Sequence, residues 1–453
     1  QLPVGSICQI DSAGPDSPVE AEVVGFVEQR LLLMPCSTVS GLSPGARVSV
    51  IEPAVQRPRL DHLSHPWRRE ADSSRQLPIG AGLLGRVVNG YGVPIDGFGP
   101  LKLVKDGPIR ARPVNVMARM PVKTPLDTGV RAIDALLTVG RGQRLGMFAT
   151  AGVGKSMLTG MMVAHTAADV IVVGLIGERG REVREVIEQT LSPSARQRTT
   201  VVAAPADEPP LLKIQAATYA TAIAEFYRDQ GLHVLLVVDS LTRYAMAMRE
   251  VALAVGEPPA TRGYPPSVFA RLPELVERAG NGVHGSGSIT AFYTVLVDAD
   301  EAHDPVGEAA RSYLDGHVVL SRELAQAGHY PAIDVEKSVS RVMTAITNQA
   351  HQENARVVRQ AWSRYQSNRD LVSIGAYVAG SDPILDRAID HWPRIEALFC
   401  QATHESSDLT QASQALADLA KDLQVEMPEL PGVPTDSPGD KLADPLHDSG
   451  ESK

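Results

Sequence analysis

A chain of 453 residues exceeds one ordinary domain, and roughly two to four are expected. Apolar residues make up 43% but aromatics only 4%, so its cores must be mostly aliphatic. A formal net charge of −10 argues against the whole molecule being a nucleic-acid binder, and no apolar run approaches the ~20 residues that span a bilayer.

The first hundred residues read as short strands, at 5–10, 21–27, 30–36, 46–51 and 82–88, separated by turn residues. Their close, regular spacing suggests a small barrel or sandwich. Residues 54–76 interrupt the pattern with Pro58, Pro66, Arg57, Arg59, Arg68 and Arg69, and read as a loop insertion. His62 and His65 in it are either solvated loop histidines, the commoner case, or metal ligands. From 125 to 346 strands alternate with helices. Strands are expected at 145–149, 169–176, 199–204, 233–238, 288–297 and 316–321, and helices at 156–168, 181–191 and 211–230. The 169–176 run, DVIVVGLI, is continuously apolar, as befits a strand buried on both faces. This is an α/β pattern with a largely parallel sheet. Residues 349–423 turn helical. The last thirty residues, with Pro428, Pro431, Pro434, Pro438 and Pro445, hold too little apolar material to fold and are expected to be disordered. Cys8, Cys36 and Cys400 lack metal-ligand spacing and read as incidental thiols of a reducing compartment.

The chemistry is concentrated in FATAGVGKS, residues 148–156. Backbone N–H groups of Gly152, Val153 and Gly154 can cradle phosphate oxygens, Lys155 can reach the β- and γ-phosphates, and the Ser156 hydroxyl can ligate Mg²⁺. Ala149 stands where the strict pattern has glycine, which leaves open an ordinary strand-to-helix turn. His233–Asp239 is an apolar strand ending in a carboxylate, the Walker B form, which aims Asp239 at the sheet edge where the phosphate loop lies. Glu178 follows the 169–176 strand directly and sits at the same edge. There it is either a general base for water or a loop glutamate in an ion-pair cluster with Arg179, Arg181 and Glu182.

These runs, together with GERGRE at 177–182, DSLTRY at 239–244, GYPPSVF at 263–269 and SVSR at 338–341, resemble the ATPase of the flagellar type III export apparatus. That family is similar to the catalytic subunit of F-type ATP synthases. The likeness covers residues 2 to 423, and AGNGVH at 279–284 and SITAFY at 288–293 look more flagellar than virulence-type. It implies a β-barrel over 1–95, a RecA-like ATPase domain over 96–346, a helical domain over 347–423 and a disordered tail over 424–453. It also implies site roles. Gly152, Val153, Gly154, Lys155, Ser156, Met157, Arg179 and Tyr330 would bind nucleotide, with Tyr330 stacking on adenine. Glu178 would activate water, and Ser156 and Asp239 would hold Mg²⁺. Arg341 would be an arginine finger reaching across a subunit boundary. Tyr330 also reads as a partly buried core tyrosine, and Arg341 as a surface ion-pair partner. Thr150-Ala151 replaces the family's usual Gly-Ser, and the acidic loop 298–304 departs from the usual sequence.

The resemblance implies ATP hydrolysis by a homohexamer, cytoplasmic and peripheral at the inner-membrane export apparatus. Its partners would be a stator-like regulator dimer, a central-stalk coiled-coil protein, the membrane export gate and chaperone–substrate complexes. Such proteins carry a helical segment ahead of the barrel that docks the stator. Leu2 already reads as the start of the barrel, so weak stator binding is expected of the chain as it stands. Two other classes are weighed beside it. A nucleic-acid-translocating hexamer needs a basic, aromatic N-terminal domain, yet residues 1–80 are net acidic with only Phe26 and Trp67. A non-catalytic nucleotide-binding subunit would lack the base, yet Glu178 is present. Virulence secretion is the nearer alternative to flagellar export.

Overall fold

The computed structural model describes residues 2–13, 18–37, 39, 41–51, 75–110, 114–190, 192–297 and 304–424. Most of the 54–76 insertion, most of the acidic 298–304 loop and all but the first residue of the 424–453 tail lie outside them, so the expectations for those segments do too.

Strands β1 (Ile7–Ile10), β2 (Val19–Val27), β3 (Arg30–Pro35) and β4 (Val48–Val50) form an antiparallel sheet in the order β3-β2-β1-β4. One face is buried: Cys8 and Ile10 alternate inward with Val19, Ala21 and Val23, the period of a half-buried strand. The fifth expected strand goes elsewhere. Residues Ala81–Leu83 form a 3-10 turn, and β6 (Val87–Asn89) pairs parallel with the central sheet. Its apolar pattern says that it is buried but not against which sheet. The pair β5 (Gln76–Ile79) and β7 (Lys105–Pro108) bridges the two parts. The Tyr219 hydroxyl donates to Pro78 O, and that of Tyr227 to Gly80 O at 3.1 Å.

After the short pair β8 (Pro125–Leu126) and β9 (Val139–Gly140), the central sheet is built. It comprises β10 (Arg144–Ala149), β11 (Val170–Ile176), β12 (Thr199–Ala204), β13 (His233–Asp239), β15 (Ser288–Leu296), β16 (Gly316–Leu320) and β17 (Ile333–Ser340), with β14 (Gly280–Asn281) beside β15. The order is β17-β16-β10-β15-β13-β11-β12-β6. Every neighbour in that order is parallel except β16 and β17. All seven residues of β11 are buried, as its unbroken apolar run requires.

Alternate strand residues feed two cores. Leu145, Met147, Ile171 and Val173 face one with helix Lys155–His165; Phe148, Val170, Val172 and Ile176 face the other with the alanine-rich helix Pro210–Asp229. The expected helix at 181–191 is helical over 180–190 but changes type within: Gly180–Glu185 is α-helical and Val186–Thr190 widens into a π-helical turn.

The C-terminal helices Gln349–Ser373, Pro383–Asp390, Trp392–Phe399 and Leu409–Leu423 pack on the first core. Their starts are set chemically: Asn348, Asp382 and Asp408 each cap with a side-chain oxygen, Asp408 in a capping box with Gln411. Trp362 stacks on Phe399 at 4.2 Å and on Trp392 at 5.3 Å, and lies 5.4 Å from the ring of His329. This aromatic cluster fastens the helical region against the segment that leads to Tyr330.

Candidate active site

In a parallel sheet the C-terminal strand ends gather on one edge, and loops there are the natural place for a ligand. β10 ends at Ala149 and the chain re-enters a helix at Lys155. Gly152 and Gly154 have φ of 81° and 92°, the left-handed region that glycine takes without strain. Val153 between them is 2% exposed and anchors the loop in the core. Ser156 and Met157 are exposed in the first turn of the following helix, where the helix dipole favours an anion. Thr150 keeps a buried hydroxyl without a hydrogen-bond partner.

β11 and β13 bring in the two carboxylates. They are adjacent and parallel, with Leu175 opposite Asp239. Gly177, at φ 70°, turns the chain so that Glu178 points back over the edge. The turn is held by Gly177 N–H donating to Ala204 O at 2.7 Å and Ala206 N–H donating to Glu178 O at 3.0 Å. A Cβ at Gly177 would lie 3.0 Å from that of Arg243, so the Arg243 stem covers this corner. Lys155 Nζ donates to Asp239 Oδ1 at 2.5 Å and to Glu178 Oε1 at 3.0 Å. Glu178 and Asp239 are only 7% and 5% exposed. Burial works against the Lys155 ammonium, but Asp239 and Glu178 outweigh it and hold its pKa above the usual value. Burial likewise pushes the Asp239 carboxyl up, against the pull of Lys155.

Sequence reasoning missed Thr294. It lies on β15, the strand between β10 and β13, and its hydroxyl donates to Asp239 Oδ1 at 2.6 Å. Only the strand register reveals it. Also missed is a 400 Å³ cavity lined by Gly328, Tyr330, Cys400, Gln401, Ala402 and Glu405. Tyr330 is 37% exposed, not a core residue. A Cβ on Gly154 would lie 3.4 Å from its ring, which places the ring beside the phosphate loop. Gln401 N–H donates to Tyr330 O at 3.0 Å. Seventy residues of sequence separate the two halves of this cavity, so no local motif announces it.

Arg179 and Arg341 are not gathered in. Arg179 is exposed, 3.9 Å from Glu182, on the outer side of the turn. Arg341 follows β17. Because β17 runs antiparallel, its last residue, Ser340, pairs with Gly316 at the start of β16. That is the opposite sheet edge from the loop, one strand length of roughly 20 Å away for a six-residue β10.

The ATP synthase alpha/beta family nucleotide-binding domain matches residues 129–340, and the T3SS EscN ATPase C-terminal domain matches 347–418. A flagellum-specific ATP synthase of Salmonella typhimurium is 57% identical over 418 residues, spanning 92% of this chain and 89% of its own. The chain belongs to the flagellum-specific ATP synthase family. As a member it is an ATP-hydrolysing P-loop enzyme. The assembled type III secretion ATPase EscN of enteropathogenic E. coli has the same fold, with TM-score 0.83 and 39% identity over 93% of this chain and 96% of that one. EscN has also been solved in complex with its central stalk EscO; that structure matches with TM-score 0.80 and 38% identity over the same shares of both chains. Among the described residues no helix is long and apolar enough to cross a membrane.

Proposed function

We propose that the chain hydrolyses ATP at the Lys155–Glu178–Asp239 cluster, and that rings of it drive the export of flagellar proteins through a type III apparatus. The observation that carries the reading is the convergence of one lysine and two buried carboxylates at the edge where the phosphate loop ends.

The backbone of Gly152, Val153 and Gly154 and the helix start at Lys155, Ser156 and Met157 receive the phosphates. Lys155 meets the charge that builds on the transferred phosphoryl group. Glu178 accepts the proton of the attacking water on its carboxylate. The hydroxyl of Ser156 and the carboxylate of Asp239 fit Mg²⁺, which takes few protein oxygens and keeps water and phosphate ligands. When bound, that ion would draw charge off the β- and γ-phosphates. The Tyr330 ring stacks on the base over the 400 Å³ cavity. Arg179, exposed and turned toward Glu182, would have to swing inward to reach a bound nucleotide.

Arg341 stands at the wrong edge for its own loop, which supports action on a neighbour's nucleotide in a homohexamer. The assembled EscN structure supports an oligomer, and the EscN–EscO complex supports a central-stalk partner, here taken to be a coiled coil. A stator-like dimer, the export gate and chaperone–substrate complexes complete the proposed partners, at the cytoplasmic face of the inner membrane. The domains are proposed as 1–95, 96–346 and 347–423, with β6 lent to the central sheet. Flagellar rather than virulence export is favoured by 57% identity to the Salmonella flagellar protein, against 44% or less to the type III secretion ATPases compared. Introducing the chain into a flagellate strain deleted for its own ATPase should restore swimming, whereas the Glu178→Gln form should not. ATPase activity that depended on single-stranded RNA would overturn the export reading.

A further inference from the structure

Arg341 is held from both ends of the phosphate-loop strand. At the start of β10, Arg144 grips the Asp315 carboxylate through Nε at 3.0 Å, Nη2 at 3.2 Å and its backbone N–H at 3.0 Å. Asp315 O then accepts from the Arg341 backbone N–H at 3.0 Å. Near the other end of β10, Phe148 is fully buried. Its ring folds back along the strand over Gly146, where a Cβ would lie 2.5 Å from the ring. Only glycine at 146 leaves the ring that position. The Arg311 guanidinium, in the last turn of helix Pro305–Tyr313, lies 4.5 Å from the centre of the Phe148 ring. The carbonyl of Arg311 accepts from Arg341 Nη2 at 3.1 Å.

We propose that Arg311 is a positioning residue for Arg341. The Arg311–Phe148 contact ties the guanidinium that a protomer lends its neighbour to the strand beneath its own phosphate loop. The proposal rests on the trans reading of Arg341. A long exposed side chain samples many rotamers, and an arginine finger helps only while held where charge develops. The Arg311 carbonyl fixes one end of that guanidinium. Packing of the Arg311 side chain on Phe148 sets where the carbonyl sits. One contact thus links the strand under a protomer's own nucleotide to the chemistry next door.

The test uses full-length rings. Arg311→Ala keeps the carbonyl but removes the cation from the ring. It should bind a fluorescent ATP analogue as the parent does, with KM within about twofold and kcat lowered roughly 3- to 30-fold. Arg311→Lys, which keeps a cation over Phe148, should recover most of the loss. Mixing Arg311→Ala with Glu178→Gln should give more activity than the two measured apart, because intact sites then meet intact fingers. Unchanged kcat in Arg311→Ala would overturn the proposal. So would a loss that mixing does not rescue while an Arg341→Ala control is rescued, since Arg311 would then act on its own loop. If Arg341→Ala keeps full turnover, or is not rescued either, the trans reading itself falls and this proposal with it.

Discussion

Thr294 donates its hydroxyl hydrogen to the same Asp239 oxygen that Lys155 holds, so one carboxylate oxygen is fixed by two donors from two elements. A hydrogen bond to a charged acceptor is worth about 1.5–3 kcal/mol, and Thr294→Val keeps the shape while removing it. The variant should fold, lose about tenfold in kcat and need more Mg²⁺ for half-maximal rate. Parental kinetics at every Mg²⁺ concentration would show that Lys155 alone suffices.

A second buried ion pair is costly to break. Arg278 donates to both carboxylate oxygens of Glu225, at 3.0 and 2.6 Å, and also to Ile109 O at 2.9 Å. Side-chain exposures are 8% and 6%. Glu225→Ala strands a buried guanidinium and should cost about 3–5 kcal/mol, read as a large fall in Tm. Changing Arg278 to Met in the same chain should recover part of the fall, because the stranded charge is then gone. A Tm unmoved by Glu225→Ala would mean that water reaches the arginine.

Asp134 makes stability depend on pH. It is fully buried; its Oδ1 accepts from Thr128 N–H at 3.0 Å and from Thr128 Oγ1 at 2.7 Å. Burial, against those bonds, holds its carboxyl well above the usual carboxylate range, and neighbouring Asp127 adds to the rise. The folded-state pKa thus exceeds the unfolded one, near ~4. The contribution is complete below ~pH 4 and is lost as pH rises through the folded value. Asp134→Asn removes the titration, so the Tm of the variant should gain on the parent as pH rises from 4 to 8. A constant difference across that range would show that Asp134 does not carry the proton.

The loop, the Walker strand and Glu178 were legible because each depends on local order: glycine spacing, an apolar run, a carboxylate just past a strand. β11 was legible because a strand buried on both faces needs no alternation. β17 was not expected, since IDVEKSVS mixes charge with apolar residues as an edge strand does, and only its pairing with β16 orders it. Residues 82–88 read as a strand, of which only the end lies in β6, and the partner of β6 lies more than a hundred residues away, a long-range choice that composition does not encode. Thr294 and the Cys400–Glu405 wall of the cavity are likewise products of register and packing.

The position of Arg341 at the edge opposite its own loop leads to a ring-dependent activity. Turnover per subunit should rise with protein concentration as interfaces form. Arg341→Ala should fold, bind nucleotide and lose about 10³-fold or more in kcat, as loss of an arginine finger does. Turnover independent of concentration down to the monomer would show each protomer working alone.

The central claim, that the buried cluster hydrolyses ATP with Glu178 as base, is tested most directly by nucleotide binding and single-turnover hydrolysis on Glu178→Gln. The substitution keeps shape and hydrogen bonding at the end of β11 but removes the proton acceptor. ATP affinity should stay within a fewfold of the parent, while the hydrolysis step slows by about 10²–10⁴-fold. Hydrolysis at near-parental rate in this variant would contradict the account.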